Sequence, residues 1–167
     1  MFMIMFMILA NMFCNINLNT LYYAQTIWPT KSKVVSSPFG PRLKASDSYR
    51  YDFHRGIDIP GKSGEPIFSI EKGFVYKIYH EPNQVYPNGG NVIIIRHQTA
   101  KVILFHGKRI KRYYSVYMHL KDIKVKSHSK VKRGQIIGTL GQSGTTTFNH
   151  LHFEIRKNWK MNDTTTR

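Results

Sequence analysis

The sequence predicts a small all-β domain, β-dominated and built mainly from antiparallel strands, with few and short helices. After Trp28, short runs rich in Val, Ile, Phe and Tyr alternate with clusters of Gly, Pro and Asn, a pattern typical of strands joined by turns. No stretch keeps an apolar period of 3.6 residues, which argues against long amphipathic helices. The chain has 167 residues, of which 41% are hydrophobic, so one domain with an ordinary core is expected.

The predicted strands are short and follow one another at turn signals. They occupy residues 66–70, 74–79, 92–97, 113–118, 135–140 and 151–155. Lys62-Ser63-Gly64 forms a turn before the first of them, and residues 81–90 form a turn-rich loop between the second and the third. Residues 98–112 are rich in Lys and Arg. We expect this stretch to form an elongated basic hairpin or loop near one wall of a groove.

The N-terminal segment has no charged side chain before Lys31, and residues 1–10 are continuously apolar. A membrane-spanning helix needs about 20 apolar residues, so this run fits the apolar region of a secretory signal better. The positive charges typical of such signals are missing, which leaves a buried segment or an upstream start codon as alternatives. We predict a signal peptide or N-terminal hydrophobic segment over residues 1–24. The protein is therefore expected to be extracytoplasmic: periplasmic, envelope-bound or secreted.

The rest of the chain is predicted to form one domain over residues 28–160, followed by a short tail over residues 161–167. Cys14 is the only cysteine, which excludes an intramolecular disulfide framework and a Cys-rich zinc module. A metal site in this chain must therefore use His and carboxylate ligands. Removal of the leader would leave no cysteine, which suits an oxidising compartment.

The chain is strongly basic, with 25 Lys+Arg against 9 Asp+Glu and a formal net charge of +16. Such an excess favours polyanions such as nucleic acid, anionic lipid or the anionic polymers of a cell wall. Of the basic residues, 11 lie between Lys101 and Arg133, opposed there only by Asp122. Neither a helix-turn-helix nor a cysteine-based finger is visible, so we expect no specific nucleic-acid partner.

Two short motifs place His and carboxylate side chains at metal-ligand spacing. His54 and Asp58 are four residues apart and can reach one ion from a helix or a bent loop, although they are also common as ordinary turn residues. On a strand, alternation puts His150, His152 and Glu154 on one face, with the intervening apolar residues on the other. That face suits two ligands, or one ligand and one catalytic base, or simply a solvent-exposed polar surface.

A further histidine, His119, ends the tyrosine-rich strand in the motif Tyr117-Met118-His119-Leu120. Taken singly, it is as well explained by a surface position at the end of a strand. The histidines without an acidic or His neighbour at ligand spacing are assigned structural roles: His80, His97, His106 and His128.

Taken in order, these motifs resemble the lysostaphin-like zinc metallopeptidases, bacterial endopeptidases that cut the peptide part of peptidoglycan. The resemblance extends from about Trp28 to Arg156. Its separate motifs are weak, but their joint order and spacing are specific. Besides the three motifs above, it rests on Trp28-Pro29, Ser37-Pro38-Phe39-Gly40-Pro41-Arg42, Gly64-Glu65-Pro66-Ile67-Phe68, Gly90 to His97, Val131 to Gly138, and Ser143-Gly144.

The resemblance implies a zinc site in a groove between loops, with a role for each matching residue. The family's zinc ligands fall on His54, Asp58 and His152, which leaves a fourth position for water, as in catalytic zinc sites. Its two further active-site histidines fall on His119 and His150, one as general base and the other as hydrogen-bond donor or acid.

These assignments predict a monomeric, zinc-dependent endopeptidase that acts on peptidoglycan peptides in wall remodelling or lysis. Anionic cell-wall polymers are expected as additional partners, because of the charge. Glu154 is a candidate acceptor that orients a histidine N–H, or an ordinary polar strand residue. The alternative function is a non-catalytic peptidoglycan-binding or amidase-activating module of the same fold.

Overall fold

The computed structural model describes residues 26–44, 47–105 and 108–157. Within these ranges the chain forms ten strands and no helix, which confirms the predicted all-β class. The strands are β1 (Gly40–Lys44), β2 (Asp47–His54), β3 (Ile57–Pro60), β4 (Pro66–Phe68), β5 (Gly73–Tyr79), β6 (Asn91–Phe105), β7 (Lys108–Ile123), β8 (Lys130–Val131), β9 (Ile136–Leu140) and β10 (His150–Arg156).

The main sheet is antiparallel, with strand order β3-β10-β7-β6-β5-β8. Strand β9 pairs with both β4 and β7, and β1 and β2 form a separate two-stranded sheet. The six predicted strands correspond to β4, β5, β6, β7, β9 and β10. The other four were not predicted, because β3 and β8 are very short and β1 and β2 lack an alternating apolar pattern.

The two faces of the main sheet bury different apolar clusters. Ile93 and Ile95 of β6 are fully buried in the larger cluster, together with Tyr117 of β7 and Leu151 of β10. The smaller cluster lies on the opposite face, and its members are Tyr86, Val92, Ile94, Val116 and Met118. Burial on both faces explains the uninterrupted apolar run at the start of β6. Each such Ile side chain contributes about 1.5–3 kcal/mol to the stability of the fold.

Strands β6 and β7 continue beyond the sheet as a two-stranded ribbon, with Phe105 paired to Lys108 near its tip. The predicted basic hairpin is therefore present, but its predicted position near a groove wall is wrong. His119 lies at the other end of β7, roughly 36 Å from Lys108 at 3.3 Å per residue. The sequence did not show that β7 is so long. The turn before this strand was therefore placed too close to the Tyr-x-x-His motif near its end.

Some predicted segments lie outside the described residues: the leader over residues 1–24 with Cys14, the tail over residues 161–167, and His106. Among the residues that are described, no helix is long and apolar enough to cross a membrane.

Candidate metal and catalytic site

Strand β10 organises the site because it lies between β3 and β7. Its register pairs His152 with Asp58 on one side and with Met118 on the other. Directly paired residues share a face of the sheet, so His152 and Asp58 point the same way. His54, the last residue of β2, reaches the same point from outside the main sheet.

The turn that delivers His54 requires a glycine. A Cβ atom on Gly56 would run into the carbonyl oxygen of Phe153 and would lie 2.9 Å from Nε2 of His152. Real Cβ atoms essentially never come this close to another heavy atom. The loop between β2 and β3 can therefore lie flat against β10 only with glycine at this position.

Three donor atoms converge from these elements. His54 Nε2 lies 3.1 Å from Asp58 Oδ1 and 3.0 Å from His152 Nδ1, and the latter two atoms are 2.9 Å apart. Ligand atoms bonded at about 2.1 Å around a tetrahedral zinc ion are separated by about 3.4 Å. The set therefore fits a single ion of that size. The described residues supply three donors to it, the number found in hydrolytic rather than closed structural zinc sites.

The outer nitrogen of each histidine in this set is already hydrogen-bonded. His54 Nδ1 donates to the carbonyl oxygen of Pro38 at 2.8 Å, and His152 Nε2 donates to Oε1 of Glu154 at 3.0 Å. With the protons on those nitrogens, the lone pairs of His54 Nε2 and His152 Nδ1 face one another across the donor cluster. Metal-binding histidines are oriented by this kind of bond, and Glu154 lies where strand alternation predicted it.

Charged neighbours make the centre of the cluster attractive to a cation. Burial would raise the pKa of the Asp58 carboxyl, but the adjacent imidazoles of His152 and His54 hold it well below its usual range. Arg42 Nη1 donates to Asp58 Oδ2 at 3.3 Å, whereas Asp58 Oδ1 faces the two histidine nitrogens of the donor cluster. Burial would lower the pKa of His152, yet Asp58 and Glu154 raise it.

His119 and His150 lie beside the cluster, with ring centroids 4.7 Å apart. Their Nδ1 atoms donate to the carbonyl oxygens of Ser143 at 2.8 Å and Phe148 at 3.0 Å, so both Nε2 atoms carry the lone pair. His150 Nε2 is 3.6 Å from Asp58 Oδ1. Burial lowers the pKa of His119 to about 4 and also lowers the pKa of His150, so both rings are neutral near pH 7.

The backbone at His119 is held in an uncommon conformation. Its φ angle is 64°, in the left-handed region that few non-glycine residues occupy. The His119 N–H donates to the carbonyl oxygen of Gly89 at 2.9 Å, and the side chain is fixed by Ser143 on the other side. Such strain is concentrated at functional sites, where surrounding contacts enforce it.

Sequence reasoning brought five residues to this site, and the structure places all five side chains together: His54, Asp58, His119, His150 and His152. It did not assign a role to Arg42 or Ser143. Arg42 and Ser143 belong to motifs that carried the resemblance, which is the signal that singles them out. Their contacts are with residues distant in the sequence, so spacing alone gives no role.

A set of three donors with two neutral imidazoles beside it is typical of hydrolytic metal sites. Comparison with known proteins agrees with this class. The model of peptidase family M23 matches residues 52–164. The chain belongs to peptidase family M23, which confirms the resemblance to the lysostaphin-like peptidases.

Among its relatives, the chain is 35% identical to the peptidoglycan DD-endopeptidase ShyC of Vibrio cholerae, over 78% of this chain and 26% of that protein. It is 34% identical to the murein hydrolase activator NlpD of Escherichia coli, over 77% of this chain and 27% of that protein. The chain thus spans about a quarter of the length of these curated relatives.

Solved structures show the same fold. A zinc-containing peptidase from Vibrio cholerae matches 77% of this chain and 35% of its own, with 30% identity and a TM-score of 0.61. The catalytic domain of lysostaphin from Staphylococcus simulans matches 76% of this chain and 83% of its own, with 28% identity and a TM-score of 0.57.

Proposed function

We propose that this chain is a zinc-dependent endopeptidase that hydrolyses peptide bonds in bacterial peptidoglycan, either cross-links or stem peptides. The observation that carries the proposal is the convergence of three metal-donor atoms within 3.1 Å of one another, beside two neutral histidines. Relatives named as peptidoglycan DD-endopeptidases support the choice of substrate.

His54, Asp58 and His152 would hold the zinc ion. When bound there, zinc supplies Lewis-acid chemistry, which polarises a peptide carbonyl and lowers the pKa of a water molecule. Glu154 and the Pro38 carbonyl accept the proton on the opposite side of each ring, which orients the ring and, in the neutral imidazole, places the lone pair on the ligand nitrogen. Arg42 fixes the Asp58 carboxylate so that one oxygen remains directed at the ion.

His119 and His150 would move the protons. One of them accepts a proton at Nε2 from the attacking water, and that proton then passes to the leaving amine. The other donates a hydrogen bond to the oxyanion when its Nε2 has taken up a proton from solvent. Both begin neutral, because burial lowers their pKa values. The bonds from their Nδ1 atoms to Ser143 and Phe148 prevent the rings from turning away.

The substrate also determines where the protein acts. Peptidoglycan lies outside the cytoplasmic membrane, so an extracytoplasmic location is part of the proposal. The chain is proposed to work there as a monomer.

The test is digestion of purified peptidoglycan sacculi with and without a chelator, followed by mass analysis of the released fragments. We expect new free amines within the peptides, lost on chelation and restored by zinc. His54→Ala should lose both zinc and activity, whereas His119→Ala should keep zinc and lose turnover. His80→Ala, at an exposed histidine, is the matched control and should behave as wild type.

Other outcomes would overturn the proposal. Intact peptides with broken glycan would refute an endopeptidase. Wall binding without any cleavage would favour the non-catalytic alternative, a peptidoglycan-binding or amidase-activating module, for which the similarity to the activator NlpD provides a precedent.

A further inference from the structure

The sheet face that carries Asp58 and His152 also carries a row of alternating cations and aromatic rings. Pairing across five adjacent strands sets side by side, in this order, Arg156, Tyr114, Arg96, Phe74 and Lys130. Directly paired residues share a face, so these side chains form one continuous line. We call it the cation–aromatic row.

The middle of the row is packed together. The Arg96 guanidinium lies 5.3 Å from the centre of the Phe74 ring and 5.9 Å from that of Tyr76. The rings of Tyr76 and Tyr114 meet edge to face at 5.4 Å. Arg156 differs from the other cations because it is buried and bonded to Glu154. The accessible part of the row therefore extends from Tyr114 to Lys130.

A cleft of about 380 Å³ opens along this part of the row. Three cations line it, Lys72, Arg96 and Lys130, together with Phe74 and Gln98. None of its described lining residues carries a carboxylate. A cleft lined by charge of one sign concentrates ligands of the opposite sign.

The row lies close to the metal-donor cluster. Arg156 follows His152 by four positions on β10, which corresponds to roughly 13 Å along the strand. Both sets of residues are on one face of one sheet. Tyr86 and the smaller apolar cluster cover the strip between them, and the Tyr86 hydroxyl accepts from Arg156 Nη1 at 3.2 Å. A polymer that occupies both the metal-donor cluster and the row must therefore pass beside Tyr86. Beyond the row, the ribbon of β6 and β7 adds further lysines and arginines by sequence.

We propose that the cation–aromatic row is an accessory binding surface for an anionic carbohydrate polymer, the glycan strand of peptidoglycan with its ionised peptide carboxylates. This inference rests on the substrate proposed above. Aromatic rings stack on the apolar faces of sugar rings, and the cations between them pair with carboxylates. A nucleic acid offers similar chemistry, but the shared face with the donor cluster favours the polymer that carries the scissile peptide.

The test measures binding of the full chain to intact sacculi by co-sedimentation, with His119→Ala in every protein to prevent digestion. Arg96→Gln/Lys130→Gln should weaken binding about tenfold, a typical loss when two charged contacts to a ligand are removed. Lys31→Gln/Lys33→Gln removes the same charge from exposed lysines outside the row, and should change binding less than twofold. Phe74→Leu keeps the apolar volume without the ring, and should weaken binding about threefold.

Three results would overturn the proposal that the row is a binding surface for this polymer. They are unchanged binding in the Arg96/Lys130 variant, an equal loss of binding in the Lys31/Lys33 control, and tighter binding of double-stranded DNA than of sacculi. Failure of this proposal is separable from failure of the proposed function. With His119 intact, cleavage of a short cross-linked peptide free of glycan should be the same in the row variant and the wild type. A protein that binds sacculi through the row but cleaves nothing would leave the surface standing and refute the peptidase.

Discussion

Replacing Glu154 by Gln should weaken zinc binding while keeping the shape of the site. Glu154 is buried, and its Oε1 accepts the His152 Nε2–H at 3.0 Å. A glutamine oxygen can still accept this bond, but the negative charge that makes the imidazole a stronger ligand is gone. Changes to such outer hydrogen-bond partners cost about 10–100-fold in metal affinity. For this conservative variant we expect a loss of zinc affinity at the lower end of that range, about tenfold or 1.4 kcal/mol.

The same substitution should also destabilise the metal-free fold. Arg156 is buried and donates to Glu154 Oε2, so the variant leaves its guanidinium without a countercharge. Breaking a buried ion pair by removing one partner costs about 3–5 kcal/mol. Adding Arg156→Met removes the orphaned charge, so the double variant should recover most of the stability but none of the zinc affinity.

The assay separates the two effects. Zinc affinity is measured by competition with a chromophoric chelator, and stability by urea unfolding in the presence of excess chelator. Wild-type zinc affinity in Glu154→Gln would refute the conclusion that Glu154 prepares His152 as a ligand. Recovery of zinc affinity in the double variant would show instead that the loss arose from general destabilisation.

Three further predictions concern buried residues, one beside the site and two in the core. Gly56→Ala should lower the free energy of unfolding by about 1–3 kcal/mol, because the new Cβ overlaps β10; an unchanged urea midpoint would contradict this. Tyr117→Phe should lower the free energy of unfolding by about 1–3 kcal/mol in the same assay, because the buried Ile70 N–H loses its acceptor, the Tyr117 hydroxyl at 3.2 Å. An unchanged free energy of unfolding would argue against that hydrogen bond. Burial lowers the pKa of His97 from 6.5, so the unfolded chain binds the proton more readily; the contribution of His97 to stability should be full above pH 6.5 and fall as the pH drops below it. Comparing wild type with His97→Gln between pH 5 and 8 isolates this dependence, and identical pH slopes would exclude it.

Local periodicity accounts for the part of the site that could be predicted. Alternation along β10 is a property of the strand itself, so it placed His150, His152 and Glu154 on one face without knowledge of any neighbour. The apolar run at the start of β6 likewise predicted a buried strand. His97 was assigned a structural role, and it lies in the core, bonded to the Lys72 carbonyl and the Ser115 hydroxyl.

Long-range pairing accounts for what could not be predicted. The register that sets His152 opposite Asp58 depends on which strands flank β10, and no local pattern encodes that. The contact of Arg42 with Asp58 depends on the fold of the separate β1–β2 sheet. The row from Tyr114 to Lys130 also exists only through cross-strand pairing, since its members are scattered along the sequence.

The central position of β10 has a consequence for the order of events during folding. His152 is separated from Asp58 by 94 residues and from His54 by 98. Closing a loop of that length costs roughly 4 kcal/mol of chain entropy, and contacts of such separation slow folding. During synthesis, His54 and Asp58 leave the ribosome well before their third partner. The metal-donor set is therefore complete only after β10 has docked on the sheet. A chain interrupted before β10 lacks His152 and cannot complete the set.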